Sequence, residues 1–287
     1  LNRGELGVLQ SDGRYLLVQQ FLGVFDSRVH LLDLQAQTLR LVAGGDPENL
    51  SANRAISFDR RGDGFYFITN ARGRAAELAW QALEPGTPAQ SLTARIGWDV
   101  TDFTLSPDGK RGAFVTNEDG ASRLYLLNTR SRGYSRFENL PLGVVAGLQF
   151  SPDGRQLALT LSTSHTPSDV YVLQLGRRPE SSRNLVRWTF SEVGGLDASR
   201  FAEPQLLHYP TFDLRGEKQR MVPAFIYRPP DKKRWPGPHP VIIHVHGGPE
   251  GRDLGLGDRQ AELALDVGED DPDPPPEPIA VGVGPQR

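Results

Sequence analysis

The chain has 287 residues, a net charge of −3, 38% hydrophobic and 23% charged residues, and no cysteine. These values exclude disulfides, thiolate-zinc sites and cysteine nucleophiles, and they give no basic excess of the kind that nucleic acid requires. No apolar run approaches the roughly 18 residues of a membrane-spanning helix, so the expectation is a soluble protein, cytoplasmic or periplasmic, with no membrane partner and room for one large β domain or two domains.

In chain order, the first repeat is Asp12-Gly13 followed by Tyr15-Leu-Leu-Val-Gln19 and Ser27-Arg-Val-His-Leu-Leu-Asp33. The second is Asp63-Gly64 followed by Phe65-Tyr-Phe-Ile-Thr-Asn70 and Glu77-Leu-Ala-Trp-Gln-Ala82. The third opens on Ser106-Pro-Asp-Gly109 and continues through Gly112-Ala-Phe-Val-Thr-Asn117 and Ser122-Arg-Leu-Tyr-Leu-Leu-Asn128. The fourth repeats that tetrapeptide as Ser151-Pro-Asp-Gly154, then Gln156-Leu-Ala-Leu-Thr-Leu-Ser162 and Ser168-Asp-Val-Tyr-Val-Leu-Gln174. The period of roughly 45 to 50 residues is that of propeller blades, not of helical repeats.

The third repeat shows the unit. Four extended segments are predicted at Val100–Leu105, Gly112–Asn117, Ser122–Asn128 and Tyr134–Phe137. Phe114/Thr116 and Leu124/Leu126 alternate as strand residues do when side chains switch faces. Pro-Asp-Gly supplies the first turn, because proline presets φ and glycine accepts the left-handed conformation that follows. Asn117-Glu-Asp-Gly120 and Thr129-Arg-Ser-Arg-Gly133 supply the next two. A four-stranded meander repeated in phase is a propeller blade; a two-sheet sandwich has no need of such a repeat. Four repeats fill about Gly7 to Phe190, a number that either closes a ring or belongs to a larger one, and a start at Leu1 rather than methionine is read as material missing upstream.

From Leu196 the blade pattern stops. Leu206–Asp213 and Met221–Tyr227 read as two strands joined by the charged turn Leu214–Arg220. A Pro-rich stretch, Arg228 to Pro240, then leads to Val241-Ile-Ile-His-Val-His246, an apolar run suited to a buried strand, which ends in His246-Gly247-Gly248-Pro249. An apolar strand running into His-Gly-Gly is the oxyanion-loop pattern of α/β-hydrolases, where backbone N–H groups face the developing negative oxygen. Residues 266–278 hold six acidic residues, five prolines and no basic residue, a composition read as disordered. The organisation expected is therefore propeller blades over 1–195, the start of an α/β-hydrolase domain over 196–251, and an acidic Pro-rich tail over 252–287.

Several of these segments together carry a resemblance. Asp99-Val-Thr-Asp-Phe103, the two Ser-Pro-Asp-Gly turns, Thr116 to Leu127, Pro167-Ser-Asp-Val-Tyr-Val-Leu173, Trp188 to Asp197, Glu203 to Asp213, Pro223-Ala-Phe-Ile-Tyr-Arg-Pro229 and His246-Gly-Gly-Pro-Glu-Gly251 resemble the prolyl oligopeptidase family of serine peptidases, and in particular its bacterial acylaminoacyl-peptidase-like members. The resemblance runs from about Gly7 to Gly251. It implies a mainly β fold, a partial propeller of about four four-stranded blades followed by the first strands of a truncated α/β-hydrolase domain. It also implies peptide substrates for the full-length parent and no cofactor. His246, Gly247 and Gly248 are the candidate oxyanion loop. The family's nucleophile sits in a Gly-x-Ser-x-Gly elbow, with Asp and His following it. Residues 252–287 contain neither serine nor histidine, and Gly133-Tyr-Ser-Arg-Phe137 is an imperfect copy inside a blade turn. The expectation is a peptidase-family chain without peptidase activity. The alternatives are a non-catalytic TolB-like propeller that binds a protein or peptide, and a pseudoenzyme that lends its half-domain to a full-length partner.

Other residues are read more plainly. His244 and His246 share a strand face, but one core histidine beside the motif histidine accounts for them without a metal. Arg61-Gly62-Asp63 matches an adhesion tripeptide yet falls where each other repeat has a hairpin turn. Asp59 to Gly64 is a poor calcium loop, because Arg61 occupies a ligand position. Asn49-Leu-Ser51 is a sequon that matters only in a eukaryotic secretory setting, and Gly255-Leu-Gly257 lacks the rest of a dinucleotide loop. Tyr125, Tyr171 and Trp80 are assigned to blade cores, and Trp98 to packing at the start of a blade.

Overall fold

A computed structural model describes residues 5–243 except 12, 74, 177–182, 216–217, 230–232 and 235. Four antiparallel meanders follow one another along the chain. Blade one is β1 (Glu5–Ser11), β2 (Tyr15–Gly23), β3 (Asp26–Asp33) and β4 (Thr38–Ala43). Blade two is β5 (Asn53–Phe58), β6 (Gly64–Thr69), β7 (Glu77–Ala82) and β8 (Gln90–Ser91). Blade three is β9 (Asp99–Leu105), β10 (Arg111–Glu118), β11 (Ala121–Asn128) and β12 (Tyr134–Arg136). Blade four is β13 (Val144–Phe150), β14 (Gln156–Ser162), β15 (Asp169–Gln174) and β16 (Arg183–Arg187). A two-stranded hairpin, β17 (Pro204–Arg215) with β18 (Lys218–Tyr227), ends the described strands. There is no α-helix among the described residues, only a 3-10 turn at Ala198–Arg200.

The repeated tetrapeptide folds the same way twice. Ser106 Oγ donates to Asp108 Oδ1 at 2.7 Å, the amides of Lys110 and Arg111 return to Asp108 Oδ1 and Ser106 Oγ, and Gly109 N–H closes on Ser106 O. Ser151, Asp153, Gly154, Arg155 and Gln156 reproduce that network bond for bond. Gly109 and Gly154 sit at φ 63° and 66°, the left-handed region that costs a residue with a Cβ about 1 kcal/mol or more. The serine hydroxyl bond, first among the causes, holds both aspartate carboxyls below their usual range. Each first strand then carries a register shift, between Val8 and Gln10, Ala55 and Ser57, Val100 and Asp102, and Ala146 and Leu148. Bulges of this kind increase local twist, which is what strands crowded near a common axis need.

The apolar core lies between the sheets. Leu17, Val29 and Leu31 of blade one pack against Ala55, Phe58, Phe65 and Phe67 of blade two. Tyr66, Ile68 and Leu78 of blade two pack against Val100, Phe103, Phe114 and Tyr125 of blade three. Ala113, Val115, Leu124 and Leu126 of blade three meet Leu157, Leu159, Leu161 and Leu173 of blade four. Neighbouring residues of one strand thus serve different interfaces, as period-two geometry requires. Every residue of β6 is buried for that reason.

Hydrogen bonds at the start of the third strand tie each of the first three blades to the blade that follows. Ser27 N–H donates to Ser51 O, and Ser27 Oγ accepts from Asn53 N–H at 2.7 Å. Ala76 N–H reaches Asp99 Oδ1 at 2.6 Å, and Val100 N–H reaches Ala76 O. Ser122 repeats the Ser27 pattern, with its N–H on Gly143 O and its Oγ accepting from Val145 N–H at 2.9 Å. Asn53 is the most heavily used of these groups: its Nδ2 serves Ser27 O and Ser51 O, and its Oδ1 accepts from Thr69 Oγ1.

Two expectations need adjusting. The charged segment 214–220 is not a long turn, because β17 extends to Arg215 and β18 begins at Lys218. The ladder is interrupted between Pro210 and Leu214 instead, where proline has no N–H to give. Val241 to Ile243 are exposed, not the start of a buried strand. Phe114 is fully buried and stacks on Tyr125 at 4.9 Å with an interplanar angle of 2°. Phe114→Ala is therefore expected to cost about 3 to 5 kcal/mol, measured as a lowered urea midpoint at unchanged slope; a loss below about 1 kcal/mol would contradict an inter-blade core at this position.

Candidate functional site

His246, Gly247 and Gly248, with His244 and the acidic tail, lie outside the described residues. What the structure describes is the rim that carries the β17–β18 hairpin, which precedes them in sequence. In a meander the turns alternate between two rims. The turns at 59–63, 106–110 and 151–155 share one, and the turns at 24–25, 70–76, 119–120 and 163–168 share the other. The β17–β18 hairpin sits on the second.

Asp119 and Gly120 form its landing point. Glu118 pairs with Ala121, leaving a two-residue loop with φ 54° at Asp119 and 83° at Gly120, the primed turn whose twist matches a hairpin. His208 Nε2 of β17 stands 3.0 Å from Asp119 Oδ2. A Cβ on Gly120 would stand 3.1 Å from the Phe225 ring of β18, so the hairpin packs closely on this turn. Behind the turn, Glu118 Oε1 accepts from Thr116 Oγ1 at 2.9 Å and Tyr125 OH at 2.8 Å, with Arg123 and Arg136 both 3.9 Å from Oε2. Burial, aided by the Glu118 bond, pushes the Tyr125 phenol up to about 12.

Blade four makes a second contact. His165 Nδ1 lies 2.7 Å from Ala198 O and Nε2 lies 2.6 Å from Glu203 Oε1. Both bonds to oxygen are satisfied together only by the imidazolium, which donates from both nitrogens. The Ala198 carbonyl foremost, and then Glu203, raise its pKa against the opposing effect of burial. Nearby, Asp169 is fully buried and anchors the exit from the blades. Its Oδ1 accepts from Thr189 Oγ1 and from Ser191 N–H and Oγ, and its Oδ2 pairs with Arg187 Nη2 at 2.5 Å. Burial pushes this carboxyl up, and these bonds together outweigh it and leave the pKa lowered.

The remaining sequence candidates are placed as follows. Arg61-Gly62-Asp63 is a hairpin turn: Asp59 Oδ1 accepts the amides of Arg61 and Asp63, and Gly62 has φ 72°. Asp59 Oδ2 is taken by Trp80 Nε1 at 3.1 Å, so this carboxylate is engaged within its own blade. Tyr125 and Tyr171 are buried in blade cores. Trp80 is half-buried and packs against the cluster of Tyr66, Phe103 and Phe114, and it also reaches the rim of the turns at 59–63 and 106–110. Trp98 is 40% exposed, so packing does not account for it. Sequence reasoning missed His165, His208 and Asp119; their pairing joins residues 38 and 89 positions apart, and no local pattern announces it.

Solved structures share this fold. Prolyl oligopeptidase B from Galerina marginata in its apo form matches with a TM-score of 0.60 and 15% identity, over 77% of this chain and 30% of that one. A mutant of the same enzyme bound to a 35mer hydrolysis and macrocyclization substrate matches with the same TM-score, identity and coverage. A prolyl endopeptidase from a study of inter-domain dynamics in two such enzymes gives a TM-score of 0.59 at 15% identity, over 77% and 30%. The chain spans about a third of the length of these structures, and the likeness falls on their propeller region: the blades have the architecture of a prolyl-oligopeptidase propeller. No family model and no curated protein matches the chain.

Two outcomes test the rim. Gly120→Ala forces a left-handed residue with a side chain against Phe225 and is expected to cost about 1 to 2 kcal/mol, with proteolysis of the hairpin accelerated more than unfolding of the blades. For His165 the raised pKa fixes the sign: its contribution is complete below the ordinary value of 6.5 and is lost as pH rises through the raised one. The melting temperature of the parent should therefore exceed that of His165→Gln by more at about pH 5.5 than at about pH 8.5. An equal gap at both pH values would show that the imidazolium is not what the contact uses.

Proposed function

We propose that this chain is the propeller part of a prolyl-oligopeptidase-type serine peptidase, with residues 196–251 entering its α/β-hydrolase domain. The propeller restricts which peptides reach that domain. One observation carries the reading: four in-phase blades match the propeller of prolyl oligopeptidases, and the chain leaves them through a hairpin held on a single rim. The His246-Gly247-Gly248 pattern that follows has the composition of an oxyanion loop, and the neighbour solved with a 35mer handles peptides of that size. The blade and hairpin motifs of the sequence favour the acylaminoacyl-peptidase-like branch of that family.

The 287 residues contain no Gly-x-Ser-x-Gly elbow. Loss of the nucleophile alone costs a serine protease about a millionfold in turnover, on the order of 8 kcal/mol of barrier. A polypeptide of this sequence alone therefore does not hydrolyse peptides. The test has two arms. The polypeptide should show no serine-inhibitor-sensitive hydrolysis of chromogenic acyl-peptides, and inhibitor-sensitive turnover would refute that. Residues 1–251 joined to a nucleophile-bearing prolyl oligopeptidase hydrolase domain should cleave short peptides and spare folded proteins; equal cleavage of both would refute the gating role.

A further inference from the structure

The rim opposite the hairpin holds a cleft of about 900 Å3 between blades two and three. The β5–β6, β9–β10 and β11–β12 turns form its walls, and Trp80 and the buried Tyr66 lie at its base. Five lining side chains are cationic and three are acidic, in a chain whose net charge is −3.

Most of these charges are already committed. Asp59 accepts two amides and the Trp80 indole. Asp108 accepts from Ser106 and the Lys110 amide, and its Oδ2 is 3.5 Å from Lys110 Nζ. Arg60 crosses from blade two to donate to Asp108 O at 2.7 Å, over a glycine whose Cβ would stand 2.4 Å from its own. Three cations are left. Arg61 and Arg130 are exposed, and their guanidinium groups have no partner among the described residues. Arg132, held at φ 58°, lays its guanidinium 4.6 Å over the Trp80 ring. A residue kept in that conformation costs about 1 kcal/mol or more, and here it turns a flexible side chain into a flat, cationic surface.

We propose that this cleft binds an acidic peptide segment, with its carboxylates on Arg61 and Arg130 and an apolar side chain against the Arg132–Trp80 pair. Planar guanidinium forks match carboxylates in geometry as well as charge. The same forks match phosphate, but a phosphate cradle also draws on free backbone N–H groups. Here the amides of Arg61, Asp63, Lys110, Arg130 and Ser131 are consumed by Asp59, Asp108 and Asn128. Asp63, exposed at the mouth, also repels a polyanion such as DNA. The cleft faces away from the hairpin rim, so this inference stands apart from the peptidase reading.

The probe is a fluorescein-labelled Glu-Glu-Leu-Glu-Glu peptide, titrated with the 287-residue chain by fluorescence anisotropy at about 50 mM salt, where exposed charges are least screened. Saturable binding is expected. Arg61→Glu/Arg130→Glu should weaken it about tenfold or more, and Arg61→Lys/Arg130→Lys should weaken it less. The melting temperatures of both variants are expected to match the parent, since the two side chains hold nothing else. Absence of saturable binding, an affinity unchanged by charge reversal, or tighter binding of a DNA duplex of about 20 base pairs would each overturn the proposal.

Discussion

Among the described residues every core cluster lies between two sheets and none lies within one, so no blade is complete without its neighbour. Phe65 and Phe67 look toward blade one while Tyr66 and Ile68 look toward blade three. A strand buried on both faces has no solvent side to set its register, and the hydrogen-bonded ties at Ser27, Ala76 and Ser122 take over that task. They are polar groups in a buried setting, where a missing partner costs far more than a present one contributes. The order of the blades therefore rests on a few satisfied polar contacts at their edges as much as on apolar area.

The same arrangement divides the molecule into two rims of different chemistry. On one, the Ser-Pro-Asp-Gly turns are closed upon themselves and their aspartates are occupied by local donors. Of the cationic side chains there, Lys110 pairs with Asp108 of its own turn, Arg132 lies over Trp80, and Arg61 and Arg130 stay exposed. On the other, the loops reach for distant chain: Asp119 for His208, and His165 for Ala198 and Glu203. That rim carries the β17–β18 hairpin, the last strands among the described residues.

Much of this was legible from residues alone. The strands of blade three fall within a residue or two of the predicted limits, because period-two alternation and glycine-bearing turns are local properties. The hairpin after residue 203 was legible in outline only. Charge at 214–220 read as turn, while the backbone kept pairing and broke at Pro210 instead.

By itself the sequence determined the repeat, the turn chemistry and hence four meanders in phase, since each depends on residues a few positions apart. Only the tertiary structure decided which strand face meets which blade, which histidines find carboxylates, and which arginines remain uncommitted. Those outcomes join residues from different blades and loops, and their energies depend on burial and on distances that exist only once the sheets have packed.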